Sequence, residues 1–72
     1  MWLRLDGKFY NLNQYKIVGY VDSLYEHEGG LQLDMQYPIP MSKKRANYVL
    51  DEIAHGLQHG FRMIKIRKGE GE

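Results

Sequence analysis

Two histidines and a glutamate lie at helical spacing in the second half of the chain. His55 and His59 are four residues apart and Glu52 precedes His55 by three, so a helix places their side chains on one stripe. Imidazole and carboxylate groups are suitable ligands for Zn, Ni or Cu. The stripe lies opposite the apolar residues of the same predicted helix, however, and a metal site needs three or four ligands with supporting hydrogen bonds. We therefore interpret the three residues as exposed surface groups and predict neither a metal nor another cofactor.

Three consecutive cations, Lys43, Lys44 and Arg45, stand at the start of the same predicted helix. Free backbone N–H groups and the positive end of the helix dipole favour anions at such a terminus. Lys65, Arg67 and Lys68 would enlarge the cluster if the last strand runs antiparallel to the helix. One interpretation is a phosphate or sulfate subsite. The other, which we favour, is a solvated helix start, because basic runs without a glycine-rich phosphate loop are common on protein surfaces.

The residue types needed for nucleophilic catalysis are scarce. Ser23 and Ser42 are the only serines, and threonine and cysteine are absent from the sequence. Asp51 and Glu52 are adjacent on a helix and diverge by about 100°, so they cannot flank one substrate bond. A chain of 72 residues also leaves little room for a ligand cleft. The sequence predicts no enzymatic activity, no catalytic residue and no small-molecule substrate.

The overall charge gives no global attraction to nucleic acid or membrane. Ten basic residues against nine acidic ones leave a formal charge of +1, so any electrostatic preference must be local. No apolar run reaches the ~20 residues of a membrane helix, and the N-terminus lacks a signal-peptide core. With no cysteine for disulfides, these features favour a cytoplasmic protein.

The elements that must position these residues follow from periodicity and turn signals. Alternation on both sides of Asp6-Gly7 predicts a hairpin with a type I′ turn. We predict a third strand over 15–25 with Gly19 as a bulge, and a fourth strand over 31–37. Pro38-Ile39-Pro40 then forms a crossover that cannot extend a sheet. A helix of about 17 residues follows between Ser42 and Gly60, and a fifth strand lies near 61–67. The prediction is an α+β domain over 1–68 in the order ββββαβ, a small antiparallel sheet with one helix on one face, and a disordered tail over 69–72.

One helix covers only one face of a sheet, and the alternation decides which side chains lie beneath it. We expect the covered face to carry Leu3, Leu5, Tyr10, Leu12, Ile17, Val21, Leu31, Leu33, Met35, Tyr37, Ile64 and Ile66, packed against Ala46, Val49, Leu50, Ile53 and Leu57 of the helix. The opposite face then receives large apolar residues: Trp2, Phe9, Val18, Tyr20 and Met63. An exposed apolar patch of that kind usually marks an interaction site.

Two functions fit such a face. The first is a non-enzymatic assembly surface that forms a homodimer or binds a protein partner, with the aromatic residues as anchors. The second is single-stranded nucleic-acid binding, because the same face is expected to carry Arg4, Lys16, Lys65 and Arg67 among its aromatic rings. Asp22 and Asp34, which we place on that face, and the near-zero net charge favour the first.

Overall fold

The computed structural model describes residues 1–15, 18–21, 29–34 and 38–72. It confirms the α+β class. The elements, in chain order, are β1 (Trp2–Leu5), β2 (Lys8–Asn11), a 3-10 turn (Leu12–Gln14), β3 (Val18–Val21), β4 (Gly30–Leu33), β5 (Ile39–Pro40), α1 (Lys43–His59) and β6 (Met63–Ile66). Of the residues predicted to form the core, Ile17, Met35 and Tyr37 lie outside the described part of the chain.

The predicted hairpin between β1 and β2 is confirmed. Asp6 and Gly7 both have positive φ angles, 50° and 85°, as a type I′ turn requires. The register places Leu5 opposite Lys8 and Leu3 opposite Tyr10. This turn therefore fixes which β1 and β2 side chains share a face.

The strands of the described ranges divide between two three-stranded sheets. In the first, β1 lies between β2 and β6, antiparallel to β2 and parallel to β6. In the second, β4 pairs antiparallel with both β3 and β5. The β1–β6 pair aligns Leu3 with Ile64 and Leu5 with Ile66, and this alignment brings the two ends of the chain together.

Two expectations for the second sheet are wrong. Ile39 and Pro40 pair with β4 although the prolines predicted a crossover without pairing. Proline is tolerated here because β5 is an edge strand. Gly19 lies opposite Gln32 in an uninterrupted register, so no bulge occurs there.

The helix begins and ends where its capping residues predict. Ser42 caps the N-terminus, its Oγ accepting from the Arg45 backbone N–H at 3.2 Å. Gly60 follows the last turn with a left-handed φ of 70°, the conformation that favours glycine after a helix. Gly56 lies against β6, because a Cβ there would come within 2.6 Å of Ile64 Cδ1.

Among the described residues, one apolar core joins both sheets to the helix. Its residues come from β1, the 3-10 turn, β4, α1 and β6: Leu3, Leu5, Leu12, Leu31, Leu33, Val49, Ile53, Ile64 and Ile66. All of these were predicted to face one another. Leu57 is an exception, because 66% of its surface is exposed although the helical spacing places it on the apolar stripe.

The facing predicted for β3 is reversed. Val18 and Tyr20 lie opposite Leu33 and Leu31, both buried, and directly opposed residues share a face of the sheet. Val18 packs against the core. It therefore points inward, and Val21 does not belong to the inward set. The apolar and aromatic residues of this strand are nearly evenly spread over its two parities, which is why alternation alone chose the wrong face.

The last four residues, predicted as a disordered tail, fold back on the helix. The Glu70 carboxylate accepts from the Arg67 backbone N–H at 2.9 Å and from the Tyr48 hydroxyl at 3.1 Å. Both donors hold the pKa of Glu70 below its usual range. Gly71, with a φ of 85°, lies against the Tyr48 ring. Glycines with positive φ angles and the Glu70 carboxylate thus hold these residues against the helix, although their composition predicts disorder.

The close approach of β4 and β5 at Gly30 can be tested by substitution. A Cβ at Gly30 would collide with the Ile39 backbone carbonyl, and backbone atoms cannot rotate away. We expect Gly30→Ala to lower the free energy of unfolding by about 2 kcal/mol or more. Gly19→Ala in the neighbouring strand is the control, since a Cβ there meets no atom within 4 Å. Urea denaturation followed by circular dichroism measures both, and equal stability of the two variants would contradict the close approach.

Candidate functional site

The face of the first sheet that points away from the core carries two aromatic rings and two cations. Leu3 and Leu5 of β1 are buried, so Trp2 and Arg4 project from the opposite side. The strand register places one residue of each neighbouring strand beside them. Asn11 and Met63 lie beside Trp2, and Phe9 and Lys65 lie beside Arg4. We call the six residues Trp2, Arg4, Phe9, Asn11, Met63 and Lys65 the open face.

Its large apolar side chains are exposed, as predicted from the alternation. Trp2 is 44% exposed, Phe9 55% and Met63 39%. Trp2 and Phe9 are diagonal neighbours, because Phe9 lies opposite the residue two positions after Trp2. The Cα atoms of diagonal neighbours on a sheet are about 7–8 Å apart. Both rings are accessible from solvent.

Arg4 and Phe9 form a cation–π pair. The guanidinium carbon lies 5.6 Å from the centroid of the Phe9 ring, within the ~6 Å over which a cation is attracted to an aromatic face. This contact fixes a positive charge beside the ring.

The first sheet is positively charged and contains no acidic residue within its three strands. Arg4, Lys8 and Lys65 are its charged members. Asp34, expected on the same face as the aromatic rings, instead follows β4 in the other sheet. Asp22 lies outside the described residues. Asp34, one of the two acidic residues predicted to repel an anion from this face, therefore does not lie on it.

A surface cleft of about 380 Å³ adjoins the open face at the hairpin-turn end of the sheet. It lies between the turn and the last residues of β6. Four cations and one carboxylate are among its lining residues, which are Arg4, Asp6, Gly7, Lys65, Ile66, Arg67 and Lys68. The two close ion pairs between described residues both involve Arg45, while Lys68 and Arg67 attract the carboxylates of Asp6 and Glu70 from farther away.

Arg45, predicted as a candidate anion ligand, is not available to one. Only 5% of its surface is exposed. Nη1 and Nη2 donate to the two oxygens of Asp6 at 3.0 and 2.9 Å, Nη2 also donates to the Arg67 carbonyl at 3.1 Å, and Nε donates to the Glu70 carbonyl at 3.2 Å. A buried guanidinium requires such partners. This arrangement removes Arg45 from the predicted subsite.

The same contacts neutralise the one carboxylate of the cleft. The hydrogen bonds from Arg45 hold the pKa of Asp6 below its usual range, and its attraction to Lys68 lowers it further. Asp6 is thus an ionised partner of Arg45, and the remaining cations determine the character of the cleft.

The other predicted cations are distributed as follows. Lys43 and Lys44 are exposed at the helix start and do not line the cleft. Lys65 and Arg67 do line it. Lys16 lies outside the described residues.

Val18 and Tyr20, predicted on the open face, belong elsewhere. Both are half-buried in the other sheet. Val18 lines an apolar groove of about 340 Å³, together with Leu50, Ile53 and Leu57 of the helix. The candidate interface therefore keeps Trp2, Phe9 and Met63 and loses these two residues.

The histidine pair forms an aromatic cluster on the helix surface. The His55 and His59 rings are 4.3 Å apart, and Phe61 lies 5.7 Å from His55, edge to face. The part of the chain that the structure describes brings no three potential metal ligands together. Glu52 does not complete a site with the two histidines.

One residue of the site was missed by sequence reasoning about ligands. Asp6 was predicted only as a turn residue, whereas Lys68 was predicted among the cations near the helix start. The signal that would have linked them is the pairing of the first and last strands, which places the hairpin turn beside the residues after β6. No local pattern indicates that pairing.

No protein-family model, curated protein or solved structure shows significant similarity to the chain. Within the described ranges, no helix has the length and apolar composition needed to span a bilayer.

The Asp6–Arg45 pair predicts a specific acid sensitivity. Because the pKa of Asp6 is lowered on folding, the pair contributes fully above the ordinary aspartate pKa of about 3.9 and is lost as pH falls through the lowered value. We expect the free energy of unfolding to drop less between about pH 5 and pH 2 in Asp6→Asn than in the wild type. Asparagine tolerates the positive φ of this turn position.

Asp51→Asn provides the matched control, since it makes the same change of charge on an exposed part of the helix. It should retain the wild-type loss of stability in acid, as measured by urea denaturation at each pH. An equal acid-dependent loss in Asp6→Asn and the wild type would contradict the role of the ion pair.

Proposed function

We propose that this protein is a non-catalytic module that binds single-stranded nucleic acid through its open face. The observation that carries the proposal is that two exposed aromatic rings, Trp2 and Phe9, lie beside Arg4 and Lys65 on a sheet whose strands contain no acidic residue. Aromatic rings among cations are the usual platform for unpaired bases, which stack on the rings while the cations contact phosphates.

The positions of Trp2 and Phe9 on the sheet support contacts to two bases. Their Cα atoms, as those of diagonal neighbours, are about 7–8 Å apart, and both rings are exposed. Sheet-based RNA-binding modules likewise stack two or three bases on separate aromatic residues. The cation beside Phe9, Arg4, is placed to contact either the stacked base or its phosphate.

Charge favours a polyanion over a second copy of the same face. A two-fold homodimer buries the same patch on both subunits, and here that would bring the Arg4 and Lys65 pairs of both copies into one interface. Like charges in a buried interface cost several kcal/mol. A phosphate backbone supplies the opposite charge. The absence of cysteine agrees with a cytoplasmic location, which we propose with this function.

The sole tryptophan of the chain, Trp2, is a direct probe of the proposed interface. Stacking of a base on its indole ring should quench its fluorescence during titration with a short oligothymidylate. Anisotropy of a labelled oligonucleotide measures the affinity in parallel. Binding without any change in Trp2 fluorescence would place the ligand elsewhere.

Substitution of Phe9 tests the stacking contribution. We expect Phe9→Ala to weaken oligonucleotide binding about tenfold, because a stacked base contributes about 1–3 kcal/mol. Phe61→Ala is the matched control: Phe61 is 49% exposed, close to the 55% of Phe9, but lies outside the open face. Equal losses in the two variants would contradict the proposed interface.

Homodimerisation through the open face is the second candidate, and the contiguous exposure of Trp2, Phe9 and Met63 favours it. Light scattering at several protein concentrations separates the two proposals. A stable dimer that dissociates in a Trp2→Ser/Phe9→Ser double variant and ignores oligonucleotide would support assembly. A monomer that binds oligonucleotide at low salt would support the nucleic-acid function.

A further inference from the structure

The cleft at the hairpin-turn end of the first sheet extends the open face with a different chemistry. Of the residues in the cleft, Arg4 and Lys65 also belong to the open face. Arg67 and Lys68 follow β6 directly, so they continue the line of cations beyond Lys65 at the edge of the sheet. The described residues that line the cleft include no aromatic side chain.

We infer that this cleft binds a phosphate group of the nucleic-acid strand, while the bases of that strand stack on the aromatic rings of the open face. The inference rests on the proposed function and assigns a separate place to the backbone. Arg67 and Lys68 contact the phosphate together with Lys65. Phosphate contacts of this kind determine register and affinity without reading sequence.

The charge of the cleft supports an anionic ligand. Arg4, Lys65, Arg67 and Lys68 bring four positive charges, and the carboxylate of Asp6 is already bound by both nitrogens of the Arg45 fork. Arg45 itself is buried behind the cleft and does not line it. Its role is positional, because it holds the turn and the Arg67 carbonyl in place and compensates the charge of Asp6.

The backbone around the cleft is held on both sides. Asp6 accepts two hydrogen bonds from Arg45, and its own N–H donates to the Ile66 carbonyl at 3.4 Å. The Arg67 N–H donates to Glu70, and the Arg67 carbonyl accepts from Arg45. The main chain that carries Arg67 is therefore fixed before a ligand binds, which reduces the ordering cost of binding.

A charge-matched pair of double variants tests the inference. We expect Arg67→Gln/Lys68→Gln to weaken binding of a short oligothymidylate about tenfold at low salt and to reduce the slope of log K against log[salt] by about 0.7, since the two residues share one phosphate and each phosphate contact to a single strand contributes about 0.7. Lys43→Gln/Lys44→Gln removes the same charge from the exposed helix start and should change the affinity much less. Equal effects of the two double variants would overturn the inference, because they would show that the affinity depends on the net charge of the protein and not on cations placed in the cleft.

An abasic deoxyribose-phosphate oligomer separates the backbone contribution from the bases. In amide NMR spectra it should shift the signals of Gly7, Arg67 and Lys68 and leave Trp2 fluorescence unchanged. If oligothymidylate binds and quenches Trp2 but shifts none of these amides, the inference is wrong and the proposed function stands. If the abasic oligomer shifts the cleft amides while oligothymidylate leaves Trp2 unquenched, the cleft binds phosphate and the base-stacking function is wrong.

The source of the phosphate is tested in the same spectra. Inorganic phosphate at the concentration of oligomer phosphate groups should shift the cleft amides far less than the abasic oligomer does, because a strand delivers several linked phosphates to adjacent cations. Equal shifts from the two would overturn the assignment to a strand and make the cleft a site for free phosphate.

Discussion

The guanidinium of Arg45 connects three parts of the chain that are far apart in sequence. It donates to both carboxylate oxygens of Asp6 in the hairpin turn and to the carbonyl oxygens of Arg67 and Glu70 near the end of the chain. Arg45 lies in the first turn of α1, so the helix start, the turn and the last residues share one anchor. Burying a charge is costly unless it is paired and hydrogen-bonded, and Arg45 donates four hydrogen bonds from its three guanidinium nitrogens.

This constraint shapes the candidate site as well as the fold. The hairpin turn and the residues after β6 form the two sides of the cationic cleft, and both are hydrogen-bonded to Arg45. Because Asp6 is paired with Arg45, the neighbouring cations give the cleft a positive charge. The open face and the cleft then form one surface in which aromatic rings and positive charges occupy different positions.

Much of the fold was predictable because its signals are local. The Asp6-Gly7 turn, the Ser42 and Gly60 caps and the alternation of Leu3, Leu5, Ile64 and Ile66 each depend on neighbouring residues. The exposure of Trp2, Phe9 and Met63 follows from the same alternation. In β3 the two parities are nearly balanced in apolar character, and there the predicted facing of Val18 was wrong. Pairing with Leu33 determines it instead.

The sequence by itself thus determined the α+β class, the helix with its caps and the hairpin. It also determined which side chains of the first and last strands point away from the core. Tertiary structure alone decided that β6 lies parallel to β1, that Arg45 is buried on Asp6, and that residues 69–72 fold against Tyr48. The physical reason is range. Turns, caps and alternation are set by atoms a few residues apart. The buried ion pair joins residues 39 positions apart and the strand order depends on pairing the two ends of the chain, and no local pattern encodes either.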